Sequence, residues 1–141
     1  MKLKKEYKDL IVNEFKEILE LCQNTGRLED KLYFFSGAYG VLNRVMNFNC
    51  DPTLIFIYNV LVESHRTLSG RMKAQNFTGT IYNSLPDEFV DAVFTNFESL
   101  ISAIEEEDEN AIRKILEKLS TISFATTGNG FFLYLREKLI I

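Results

Sequence analysis

The sequence predicts an all-α protein, a single-domain bundle of five to six helices that covers residues 1–141. Apolar side chains recur at spacings of three and four residues along most of the chain, which is the period of an amphipathic helix. Clusters of Gly, Asn, Asp and Pro interrupt this pattern at intervals that leave helices of ordinary length. The composition is 46% hydrophobic, with twelve Phe and six Tyr, which is enough apolar material for a thick core.

The first two helices are predicted from their apolar stripes. The first covers residues 3–22, and the segment 24–26 ends it, because its Gly26 suits the left-handed conformation that follows many helices. The second covers residues 28–48 and contains two glycines within the run 36–40. A glycine inside a helix is unfavourable by about 1 kcal/mol relative to Ala, so we expect close helix packing at this run.

The third predicted element begins at an Asp-Pro pair and extends to about residue 73. Asp51 is a good N-cap, and Pro52 fits the first helical position, where no amide donor is needed. The segment 54–62 is almost wholly apolar, so this element is expected to be central. A buried strand over 54–62 is the rival interpretation, because Ile, Phe, Tyr and Val favour strands. The Asp-Pro start favours the helix.

The second half of the chain predicts two further helices after a long loop at about 75–86. The fourth helix has the cleanest apolar stripe in the chain, over residues 89–104. The acidic run 105–109 is expected to form a turn, with Asp108 as the N-cap of a fifth helix whose apolar face covers 111–122.

The last segment, residues 131–141, is predicted to be a short helix with more apolar surface than a terminal helix normally exposes. It either closes the core of its own chain or packs on a second copy, and the sequence does not decide between the two. The candidate interface residues are Phe131, Phe132, Tyr134, Leu135 and Leu139.

Charge and cysteine content exclude several classes of function. The net charge is −4 and the chain lacks a basic stripe, so nucleic acid is not an expected partner, although a local basic patch at residues 2–8 leaves a weaker hypothesis of that kind. Cys22 and Cys50 have no metal-ligand spacing, so we expect reduced thiols, no metal and no cofactor. We find neither an export signal nor a membrane span, which predicts a cytoplasmic protein.

A group of polar residues within the apolar second and third helices is the strongest candidate for a ligand site. Asn43 and Asn47 share one helical stripe with Ser36, and Asn59 and Glu63 share another with Arg66. Stripes that face each other would form a polar pocket inside the bundle. The candidate ligand-binding residues are Asn43, Arg44, Asn47, Asn59, Glu63, His65 and Arg66.

A structural interpretation of the same residues stands beside the functional one. Glu63 and Arg66 could form an (i, i+3) pair on a solvated face, and the single histidine, His65, could be a hydrogen-bonded core residue. We find no phosphate-binding loop and no nucleophile motif.

The sequence therefore predicts a non-enzymatic helical module for protein–protein interaction or regulation. We expect it to form a homodimer and to recognise another protein through an apolar groove or through its acidic end. The alternative is a small-molecule-binding or enzymatic bundle with its site between the second and third helices.

Overall fold

A computed structural model describes residues 1–74 and 87–125 of the chain, with side chains up to residue 69 and from 87 to 123. This part of the chain forms five α-helices and no strand, which confirms the all-α prediction and shows that the rival strand over 54–62 is wrong. The predicted loop at 75–86 and the short helix at 131–141 lie outside the described residues. The helices are α1 (Lys5–Gln23), α2 (Leu28–Met46), α3 (Pro52–Ala74), α4 (Asp87–Glu105) and α5 (Glu109–Ala125).

The five helices form a closed ring around one hydrophobic core. Following the ring, α1 packs against α2, α2 against α3, α3 against α5, α5 against α4, and α4 against α1. Three fully buried phenylalanines meet across the ring: the centroid of the Phe97 ring lies 5.2 Å from that of Phe15 and 5.2 Å from that of Phe35. The Phe35–Phe97 contact joins α2 to α4, which are not neighbours in the ring, and the Phe15–Phe97 contact joins the neighbouring helices α1 and α4.

The N-terminus of α3 is fixed by a buried aspartate. One carboxylate oxygen of Asp51 accepts a 2.8 Å hydrogen bond from the backbone N–H of Thr53, which confirms the predicted N-cap. The other accepts a 2.8 Å hydrogen bond from the backbone N–H of Lys2. Burial raises the pKa of Asp51, but these N–H donors outweigh it and hold the pKa below its ordinary value.

The glycines of α2 differ in their surroundings. A Cβ added at Gly37 would lie 3.3 Å from Cδ1 of Ile18 on α1, whereas one at Gly40 would meet nothing within 4 Å. Close packing therefore explains Gly37 but not Gly40, and the approaching group is a side chain of α1.

The acidic run between α4 and α5 is paired with cations of the N-terminal part of the chain. Nζ of Lys16 lies 2.9 Å from Oε2 of Glu105, and Nζ of Lys8 lies 3.8 Å from Oε2 of Glu107. The amino group of Met1 pairs with Glu109. Asp108 accepts a 3.1 Å hydrogen bond from the backbone N–H of residue 111, which confirms it as the N-cap of α5.

Contacts of the N-terminal segment also show how α3 and α5 run. Met1 contacts Glu109 at the start of α5, and the next residue, Lys2, contacts Asp51 at the start of α3. The two helices therefore begin at the same end of the bundle and run side by side in the same direction.

Candidate functional site

The polar residues predicted to bind a ligand lie largely on exposed faces. Asn43 and Arg44 of α2 are exposed, as are Asn47, which follows the end of α2, and Asn59 of α3. Of the predicted ligand-binding residues, Glu63 and Arg66 contact each other, and both lie on α3.

Glu63 and Arg66 form an ion pair within one helix turn. Nη2 of Arg66 lies 2.6 Å and 2.7 Å from the two carboxylate oxygens of Glu63. The Arg66 side chain is 75% exposed and that of Glu63 43%. This is the (i, i+3) pair of the structural interpretation, and a pair this exposed contributes at most about 1 kcal/mol to stability.

His65 points away from that pair and into the bundle. Its Nε2 lies 3.1 Å from the backbone carbonyl oxygen of Leu32 on α2, and its ring lies against Phe35 and Tyr39, also on α2. Burial lowers the pKa of His65, and the contact with Leu32 offsets this only in part. Because the carbonyl oxygen can only accept, the imidazole donates its Nε2–H to Leu32, and this hydrogen bond joins α3 to α2.

A groove lies between α3 and α5, at a position that the sequence did not predict. Its volume is about 530 Å³, and it is open along one side. Residues from about two turns of α3 and more than three turns of α5 line it. They are Thr53, Phe56 and Val60 of α3 and Glu109, Ile112, Arg113, Leu116, Glu117, Ser120 and Thr121 of α5.

The groove combines an apolar floor with a charged rim. Ile112 and Leu116 are buried at its floor, and Phe56 stands on its α3 side with 65% of its surface exposed. Arg113 and Glu117 are exposed along the α5 side. An apolar surface bordered by polar groups is typical of a contact site for another chain.

The signal for this groove was present in the sequence. The segment 54–62 is apolar on more than one helical face, and a ring of five helices can bury only part of such a helix. Leu54, Ile57 and Leu61 point into the core, which leaves Ile55 and Phe56 exposed. Sequence reasoning assigned the whole segment to the core and therefore did not place the expected groove beside α3.

Two further exposed aromatic residues lie outside the groove. Tyr33 on α2 is 76% exposed and contacts Phe34 edge-on, while Phe48 stacks on Tyr7 with ring centroids 6.5 Å apart. Isolated apolar side chains of this kind are common on protein surfaces.

Other kinds of site were sought in the described part of the chain. No cluster of three or more His, Cys, Asp or Glu residues there could hold a metal ion. The thiols of Cys22 and Cys50 are free, and burial raises the pKa of Cys22 to about 11, against the opposing effect of Lys31. The described helices include none with the length and apolar character of a membrane span.

Comparisons of the chain with protein-family models, with curated proteins and with solved structures found no match. The predicted interface residues lie outside the described residues and have no structural placement here: Phe131, Phe132, Tyr134, Leu135 and Leu139.

Proposed function

We propose that the protein is a non-enzymatic interaction module that binds an amphipathic helix of a partner protein in the groove between α3 and α5. The exposure of Phe56 beside the buried floor of Ile112 and Leu116 carries this proposal. A helix laid in such a groove would present apolar side chains at spacings of three and four residues.

The energetics of the groove fit this mode of binding. Covering a phenylalanine side chain that was fully exposed contributes roughly 1.5–3 kcal/mol, and Phe56 retains most of its exposed surface. Large aromatic side chains near the centre of an interface commonly dominate its binding energy. Arg113 and Glu117 can then select the orientation of the partner helix through its charges.

The acidic end of the bundle supports partner binding less well than the groove does. Glu105, Glu107 and Glu109 each pair with a cation of the same chain, and Asp108 caps α5. A partner would have to compete with these contacts. In the groove only Glu109 is paired in this way, whereas Arg113 and Glu117 have exposed side chains that a partner can reach.

Cytoplasmic location and self-association belong to the same proposal. The free thiols of Cys22 and Cys50 fit a reducing compartment. We expect self-association as well, because the sequence of the apolar segment 131–141 has the spacing of an amphipathic helix.

Site-specific photo-crosslinking tests the proposal. A photoreactive phenylalanine analogue, p-benzoylphenylalanine, is placed at position 56 in one full-length protein and at position 33 in a matched control. Tyr33 is as exposed as Phe56 but lies outside the groove. After irradiation in the native host cells, mass spectrometry identifies the crosslinked peptides.

The proposal predicts that position 56 crosslinks to an amphipathic helix of a defined protein, or of a second copy, and that position 33 does not. Adding Ile112→Asp to the position-56 protein should remove the crosslink, provided that circular dichroism shows the bundle still folded. Equal crosslinking from both positions, or no protein crosslink from position 56, would contradict the proposal.

A further inference from the structure

Two side chains of opposite charge lie one helix turn apart on the rim of the groove. Arg113 and Glu117 of α5 both line the groove, and both are exposed. Their spacing of four residues places them on the same face of α5, about 6 Å apart along its axis. Within one helix, an (i, i+4) pair with the cation nearer the N-terminus is the weaker of the two possible orders. Opposite charges on another chain can therefore offer these side chains better partners than they offer each other.

The apolar side of the groove has two positions at the same levels. Phe56 lies four residues after the first residue of α3, and Arg113 lies four residues after the first residue of α5. Because the two helices begin at the same end of the bundle and run in the same direction, Phe56 lies level with Arg113. One turn further along, Val60 lies level with Glu117.

A second copy of the chain matches both sides of the groove when its helices run in the opposite direction. A twofold axis that crosses the groove between these two levels places α5 against the α5 of the second copy and α3 against its α3. Arg113 then meets Glu117 of the second copy, and the symmetry repeats this pair. Phe56 covers Val60 of the second copy in the same way. Opposite charges thus meet on the α5 side, and apolar side chains meet on the α3 side.

The other twofold arrangement, in which the helices of the two copies run parallel, matches the groove poorly. An axis along the groove would place α5 of one copy against α3 of the other. Glu117 would then face the apolar Val60 of the second copy. Covering a carboxylate without an opposite charge is costly, so the charges of the rim favour the antiparallel arrangement.

We infer that two copies of the chain associate face to face through their α3–α5 grooves, with antiparallel helices, and that this dimer competes with the partner helix for the same site. The inference rests on the proposed function, because it names the occupant of the groove when the partner is absent. The facing surface is about 18 Å long, from Glu109 to Thr121, and about 20 Å wide across two helices. This is small beside the roughly 800 Å² per partner of a standard interface, so the dimer is weak and a partner helix can displace it.

Charge exchange tests this arrangement in the full-length protein by analytical ultracentrifugation. The wild type should show a reversible equilibrium between monomer and dimer. Arg113→Glu places two carboxylates opposite each other at both pairs, and Glu117→Arg places two guanidinium groups there. Each variant alone should therefore dimerise at least about tenfold more weakly than the wild type.

The two variants should restore dimerisation when they are mixed. Each carboxylate of the Arg113→Glu copy then meets a guanidinium of the Glu117→Arg copy, and the dimer affinity should return to about that of the wild type. This recovery also shows that both variants are folded. Arg44→Glu and Glu98→Arg, at exposed positions of α2 and α4, change the net charge equally and serve as controls that should leave dimerisation unchanged.

Three results would overturn the inference: a wild type that stays monomeric up to about 1 mM, mixed variants that do not recover, or control variants that weaken the dimer equally. The proposed function fails separately. If position 56 photo-crosslinks to another protein while the wild type is monomeric, the inference falls and the interaction proposal stands. If mixing restores the dimer but position 56 captures no protein in the cells, the dimer stands and the interaction proposal falls.

Discussion

His65 and Leu32 join α3 to α2 through a single hydrogen bond, in which Nε2 of the imidazole lies 3.1 Å from the backbone carbonyl oxygen. The carbonyl oxygen can only accept, so Nε2 must carry a proton, as it does in one neutral tautomer and in the protonated ring. Burial disfavours the protonated ring. The only histidine of the chain is thus a connection between two helices, and its protonation state is linked to the stability of the bundle.

Stability should fall as the pH decreases below 6.5, the ordinary pKa of histidine. The folded-state pKa of His65 is depressed, so between the two pKa values the unfolded chain binds more protons, and lowering the pH favours unfolding. We expect a loss below about 1.4 kcal/mol per pH unit, the limit for one proton. His65→Gln keeps an N–H donor without titrating, and its unfolding free energy should depend less on pH in urea titrations. An identical pH dependence for both proteins would refute the role assigned to His65.

The two glycines of α2 should respond differently to alanine. Gly40→Ala should raise the free energy of unfolding by about 1 kcal/mol, because alanine favours the helix and the new Cβ meets no atom within 4 Å. Gly37→Ala should gain less or lose stability, since Ile18 must move to admit its Cβ. Denaturant titrations of the two variants measure the difference. Equal gains would show that α1 does not pack closely at Gly37.

Loss of the Asp51 side chain should destabilise the start of α3. Asp51→Ala removes the acceptor for the backbone N–H groups of Thr53 and Lys2, which we expect to reduce stability by about 1–2 kcal/mol. Asp51→Asn retains one acceptor oxygen and should lose less. Thermal unfolding followed by circular dichroism ranks the variants, and an asparagine variant as unstable as the alanine variant would argue against the cap.

Phe35 should be among the most sensitive core positions. It is fully buried and contacts the rings of Phe94, Phe97 and His65. Phe35→Ala should reduce stability by about 3–5 kcal/mol, and Phe35→Leu by a smaller amount if the alanine variant does not fold. Tyr33→Ala, two residues away on the exposed face, should change stability by no more than about 0.5 kcal/mol in the same urea titration. Similar losses of stability at both positions would contradict the burial of Phe35 in the core.

The fold followed from the sequence more readily than the site did. Local signals suffice for helix ends: Asp51 and Asp108 cap α3 and α5 as their residue types predict. The groove depends on which face of α3 meets the core, and that is set by how the helices cross. Because the segment 54–62 is apolar on more than one face, its periodicity could not show that Phe56 would remain outside.

The polar stripes illustrate the same limit. Spacing alone placed Glu63 and Arg66 on one face of α3, and they do pair. Whether that face meets α2 depends on helix rotation, which a single sequence does not contain. His65, adjacent to both in sequence, points instead toward Leu32.

Native mass spectrometry of the protein isolated from its host cells tests the interaction proposal most directly, with Phe56→Asp and Glu63→Gln as paired variants. The groove account predicts an added mass that corresponds to a polypeptide, lost in Phe56→Asp and retained in Glu63→Gln. A small-molecule mass that is lost in Glu63→Gln and retained in Phe56→Asp would contradict it and favour a ligand site between α2 and α3. A wild-type protein with no bound polypeptide would also contradict it.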